Sequence, residues 1–224
     1  IEDLEHTLQT LESAPDLSLD ADILRDPSQS EVPEGVRQAI WDQVGAVADR
    51  FNEPGRFTAF IGYEWTSMPG GDNLHRVVVY GDGADKAAQM IPLSAFDGDR
   101  PEDLWAFMDR YQKQTGGNIL AIPHNGNVSN GKMFVTKDSQ ARIFSENYAE
   151  TRARFEPLVE VTQIKGDAET HPLLSPDDEF ADFETWDKGN LQVGATVPKT
   201  EDMLQFEYTR QALLHGLTEQ ARLG

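Results

Sequence analysis

The stretch FTAFIGYEWTSMPGGDNLHRVVVYG, residues 57–81, decides the reading of the chain. Its first part, FTAFIGYEW (57–65), is short and rich in aromatic and β-branched residues, as a buried strand requires. SMPGGDN (67–73) carries the proline, glycines and asparagine of a connection. HRVVVYG (75–81) then reads as a second strand, and so short a link makes the pair a hairpin.

Upstream, Val36, Ile40, Trp41, Val44, Val47 and Phe51 recur at helical intervals, predicting a helix over 34–51 that starts after Pro33. Residues 1–32 are polar and acidic, and Leu4, Leu8 and Leu11 suggest one short helix before a loop. Downstream, Pro101 opens a helix over 101–115 with Leu104, Trp105, Met108 and Tyr111 on one face. NILAIPH (118–124) is a third apolar strand, 146–156 a polar helix, LVEVTQIKG (158–166) a further strand and about 201–222 a last helix. Strands alternating with helices point to an α/β architecture, either open sheet or barrel. Residues 1–56 read as an N-terminal helical and loop segment of the same domain, and 57–224 as its α/β body.

The net charge of −20, from 39 acidic against 19 basic residues, argues against a basic surface for nucleic acid or an anionic membrane. No run approaches the roughly 18–20 apolar residues of a membrane span. Cysteine is absent, so disulfides, thiolate metal sites and cysteine nucleophiles are excluded, and any metal must take oxygen and imidazole ligands. The compartment and the oligomeric state stay open. P-loop, GxSxG, HExxH and dinucleotide patterns are missing.

The polar residues of interest follow strands. Glu64 lies near the end of the first, His75 opens the second, and a hairpin puts both on one rim, which His124 at the end of 118–124 also reaches. One carboxylate with imidazoles suits a borderline divalent cation such as Zn, Mn or Fe, which activates water. Ligation needs neutral imidazole, so binding should weaken below about pH 6. Taken singly, Glu64 could pair with Arg76 or sit exposed, His75 could cap a turn, and a histidine after a strand could be a hydrogen-bonded structural residue. Asn125 and Asn127, in HNGNVSNG, are candidate substrate contacts or residues of a tight left-handed loop. Lys165 is a candidate either for a phosphate or sulfate oxygen or for a structural ion pair, with Arg76 and His171 as further candidates for anion stabilisation or leaving-group protonation.

The blocks FIGYEWTSMPGGDNLHRVVVYGDG, LAIPHNGNVSNGKMF, EPLVEVTQIKGDAETHPLLSPDDEFADFE and YTRQALLHGLTEQARLG resemble the DUF3604 family, a bacterial group related to the polymerase and histidinol phosphatase (PHP) superfamily. The resemblance implies a distorted TIM-like barrel, up to three divalent metals in the complete protein, and hydrolysis of a small anionic ester, a phosphoester or related sulfate ester. Glu64, His75 and His124 match the superfamily's middle ligands, and His171 lies in a segment particular to the DUF3604 pattern. The superfamily's opening HxH and closing Asp-x-His strands have no counterpart here, so the barrel is expected to be incomplete, trimmed at both ends. A non-catalytic ligand-binding or assembly module that kept the fold is the alternative.

Overall fold

The structure, a computed structural model, describes residues 32–192 and 197–224. The short helix expected near Leu4–Leu11 lies outside them. The chain divides into Ile1–Ala39 and Ile40–Gly224, and the second unit holds every strand described below.

Helix α1 (Glu34–Phe51) follows Pro33 as its periodicity predicts. Strands β1 (Ile61–Trp65), β2 (Arg76–Tyr80) and β3 (Ile119–Pro123) form one sheet in that order, both pairings antiparallel. The hairpin expected over 57–81 is therefore present, with Glu64 opposite Val77 and Trp65 opposite Arg76. A short helix, α2 (Ala84–Ala87), and helix α3 (Pro101–Thr115) link β2 to β3. Pro101 opens α3, the Arg100 and Asp103 side chains box its first turn, and left-handed Gly116 ends it.

Alternate side chains of a strand face opposite ways. On one face Trp65, Val78, Tyr80 and Ala121 are buried against Leu104, Trp105, Met108 and Tyr111 of α3 and Trp41 of α1. Each of the larger aliphatic side chains among them stabilises by roughly 1.5–3 kcal/mol through burial. Trp41 also donates its indole N–H to Ala87 O at 2.8 Å. The other face carries Glu64 and Val77, both exposed.

Arg76 belongs to the buried face. Its Nε lies 3.0 Å from Glu156 Oε1, at the end of helix α4 (Glu146–Phe155), and its Nη1 donates to Leu74 O. Trp105 donates to the same Glu156 oxygen at 2.9 Å. Burial alone would raise the Glu156 pKa, but the Arg76 and Arg152 guanidiniums carry it below the usual carboxylate value.

Two elements differ from the sequence reading. The strand expected over 158–166 is a small hairpin, β4 (Thr162–Gln163) and β5 (Gly166–Asp167), with Ile164 and Lys165 at its turn. Gly166, at φ 99°, reverses the chain, and a Cβ there would meet Glu184 O at 2.6 Å. The last helix is broken into α5 (Glu201–Leu204) and α6 (Thr209–Leu223). Tertiary bonds claim the backbone at the break: Phe134 N donates to Phe206 O, and Thr209 N to Ala168 O, each at 2.9 Å. Among the described residues the architecture is mixed α/β with small antiparallel sheets, and no barrel closes.

Replacing Arg76 by alanine leaves the Glu156 carboxylate buried with weakened compensation. Urea unfolding should show a loss of about 3–5 kcal/mol. A loss below about 1 kcal/mol, the scale of a surface pair, would mean that this contact does not hold α4 to the sheet.

Candidate metal centre

The register that buries Trp65 and Arg76 turns their neighbours outward. Glu64 precedes Trp65, and His75 precedes Arg76. Arg76 pairs with Pro123, so His75 and His124 extend the ladder by one position, and His124 N donates to His75 O at 3.4 Å. Their rings stand 5.8 Å apart at 81°.

Glu64 Oε1 lies 2.9 Å from His124 Nε2 and 3.2 Å from His75 Nδ1. One ligand atom from each of the three residues falls within 4.8 Å of the other two. His124 is buried, at 4% exposure, while the Glu64 side chain is 45% exposed, so the cluster opens to solvent on its carboxylate side. The far ring nitrogens, His75 Nε2 and His124 Nδ1, are buried without a hydrogen-bond partner among the described residues. A carboxylate oxygen and two imidazole nitrogens at this spacing fit a divalent cation of the Zn, Mn or Fe kind.

The His75 pKa is lowered from its ordinary value. Burial is the main cause, Glu64 opposes it, and His124 and Lys165 add to the lowering. The Lys165 ammonium, half-buried at the β4–β5 turn, thus acts on the site through space, and among the described residues it has no ion-pair partner.

The chain belongs to the DUF3604 family. The family model, described as "Protein of unknown function (DUF3604)", matches residues 4–224. No curated protein and no solved structure matches the chain significantly.

The segment typical of the DUF3604 pattern, around His171, is bound up in its own contacts. His171 Nε2 lies 3.1 Å from Asp187 Oδ1, and its Nδ1 accepts from Leu173 N at 3.1 Å. Both ring nitrogens therefore have partners within the chain. Arg76, also a sequence candidate for the substrate, lies on the core face and spends its guanidinium on Glu156 and Leu74 O.

The loop after His124 is left-handed at Asn125 (φ 53°) and Asn130 (φ 48°), the conformation that Asn tolerates. Asn127 Nδ2 donates to Lys165 O at 2.9 Å and ties this loop to the β4–β5 turn. Asn125 is buried with neither amide atom partnered. From the far side the buried Lys199–Glu207 pair supports the loop: Lys199 Nζ donates to Asn127 O at 2.5 Å, and Glu207 Oε1 accepts from Gly131 N at 3.1 Å. At Gly126 a Cβ would lie 2.2 Å from Glu207 O, so no side chain fits there. Sequence reasoning missed this pair, since nothing in the spacing of Lys199 and Glu207 announces a contact with residues near 130.

A groove of about 680 Å³ lies elsewhere, lined by Phe134, Phe144, Ala149, Leu158, Leu213 and His215. It includes none of Glu64, His75 and His124, so the donor set rather than concavity defines the candidate centre.

The lowered His75 pKa has a checkable sign. The unfolded chain, near pH 6.5 for histidine, binds the proton more tightly than the folded one. Stability from this group is therefore complete above that pH and is lost as pH falls through the lower folded value. Titration of the His75 ring by NMR, in metal-free protein, should give a midpoint below that of histidine in an unstructured peptide. A midpoint at or above the peptide value would mean that Glu64 outweighs burial.

Proposed function

We propose that the chain is a metal-dependent hydrolase of small anionic esters, phosphoesters first and sulfate esters second, with Glu64, His75 and His124 as metal ligands. One observation carries the reading: three donors of the right chemistry lie within 4.8 Å of one another on one side of a sheet, in contact with solvent. When bound, a divalent cation supplies Lewis acidity, bringing the pKa of water toward about 7 and drawing charge from an ester oxygen.

The chain's own residues do the rest. Glu64 contributes the negative charge of the ligand set, and burial keeps His75 neutral and able to ligate at physiological pH. Lys165, whose charge already acts on His75, offsets the negative charge of the ester. Asn125, buried in the loop that follows His124, keeps both amide atoms unpartnered among the described residues. Arg76 and His171 take no part, being consumed by Glu156 and Asp187. The antiparallel sheet is then one section of the wall of a distorted TIM-like barrel of PHP type, as the family resemblance implies.

Elemental analysis of protein purified without chelator should find Mn, Fe or Zn near stoichiometry, and His124→Ala should lose both the metal and turnover of phosphate or sulfate esters. Well-folded wild-type protein that holds no metal and takes none up would sink the proposal. Metal without turnover would favour a ligand-binding module. Lys165→Met should keep its metal but raise KM for the ester about tenfold or more, the cost of one charge-assisted hydrogen bond. An unchanged KM would remove Lys165 from the site.

A further inference from the structure

We infer that Asn73 is a positioning residue of this centre, holding the backbone turn after His124 so that its imidazole faces Glu64. The inference rests on the metal-centre reading above.

Asn73 lies in the β1–β2 connection, just before His75, and is fully buried. Its Nδ2 donates to two backbone carbonyls, His124 O at 2.7 Å and Asn125 O at 3.2 Å. Its own N–H donates to Val128 O at 3.1 Å. One residue of the His75 segment therefore grips the His124 loop at three carbonyls.

The grip answers a local electrostatic problem. Asn125 is left-handed, at φ 53° and ψ 44°, a conformation with a steric cost for any residue bearing a Cβ. In that turn the carbonyls of His124 and Asn125 converge on one point, where their dipoles repel. A side-chain amide supplies two N–H groups on one nitrogen, one for each oxygen. Aspartate has no donor and serine has one, so asparagine at this position matches the need in number as well as size. Two carbonyls beside one amide atom also fix which end of the amide is nitrogen.

The Asn73 side chain bonds to the His124 and Asn125 carbonyls and not to Glu64 Oε1, His75 Nδ1 or His124 Nε2. It acts on the centre through the His124 backbone. The backbone sets where Cβ points, and thereby where the ring can reach. Supporting contacts of this kind typically carry a factor of about 10–100 in metal affinity.

The test uses zinc alone as probe, its dissociation constant read by chelator competition, beside circular dichroism and thermal unfolding of the metal-free proteins. Asn73→Ala should stay folded and bind zinc at least about tenfold more weakly than wild type. Adding Asn125→Gly, which removes the steric cost of the left-handed turn, should recover part of that affinity. A merely structural asparagine would lower the unfolding temperature and leave the zinc affinity of the folded protein unchanged, and that result would overturn the inference. So would a double variant that binds no better than Asn73→Ala. If Asn73→Ala does not fold, Asn73→Ser, with one donor, must show an intermediate loss, and wild-type affinity in it overturns the inference. Wild-type protein that takes up no zinc, manganese or iron refutes the metal centre itself and this inference with it. Wild-type binding with unaffected variants refutes Asn73 only.

Discussion

Two-residue alternation along β1, β2 and β3 governs both halves of the molecule at once. Trp65 and Arg76 point into the core because Glu64 and His75 point out of it, and no shift of register can change one without the other. A slip of one residue would push the Glu64 carboxylate against Trp41 and Tyr80 and lift Trp65 into water. The buried bonds from Arg76 to Glu156 and from Trp105 to the same carboxylate oppose such a slip from the core side. The core thus sets the geometry of the candidate metal ligands without touching them.

Much of this was legible in residues 57–124, because the signals there are local. Aromatic and β-branched runs mark the strands, Pro69, Gly70 and Gly71 mark the turn, and a hairpin necessarily brings Glu64 near His75. The facing of Arg76 was also encoded, since neighbours on a strand point opposite ways: if His75 serves the rim, Arg76 cannot. The contacts of His171 with Asp187, of Asn73 with the His124 carbonyl and of Lys199 with Glu207 join segments far apart in sequence, and no periodicity reports them. The break between α5 and α6 belongs with these. Its helical pattern is real, but Phe134 and Ala168 compete for the backbone groups at the break.

Charge is distributed unevenly. The chain carries a net −20, yet several of its cations are spent inside: Arg76 and Arg152 on Glu156, and Lys199 on Glu207. For Glu156 the guanidiniums outweigh burial, whereas for Glu207 burial outweighs Lys199 and the pKa is raised. The difference follows from two cationic partners against one. Lys165, which has no carboxylate partner among the described residues, is then electrostatically conspicuous through its effect on His75 in an otherwise acidic protein.

The close approach of Gly126 to the Glu207 carbonyl lays the loop after His124 directly against the C-terminal region. Residues 199–207 form the floor on which the loop after His124 is laid. A shortened chain ending before Lys199 would retain Glu64, His75 and His124 in its sequence, and even the hairpin that carries the first two. It would nevertheless lose Lys199 and Glu207, whose bonds with Asn127 O and Gly131 N support the loop that follows His124.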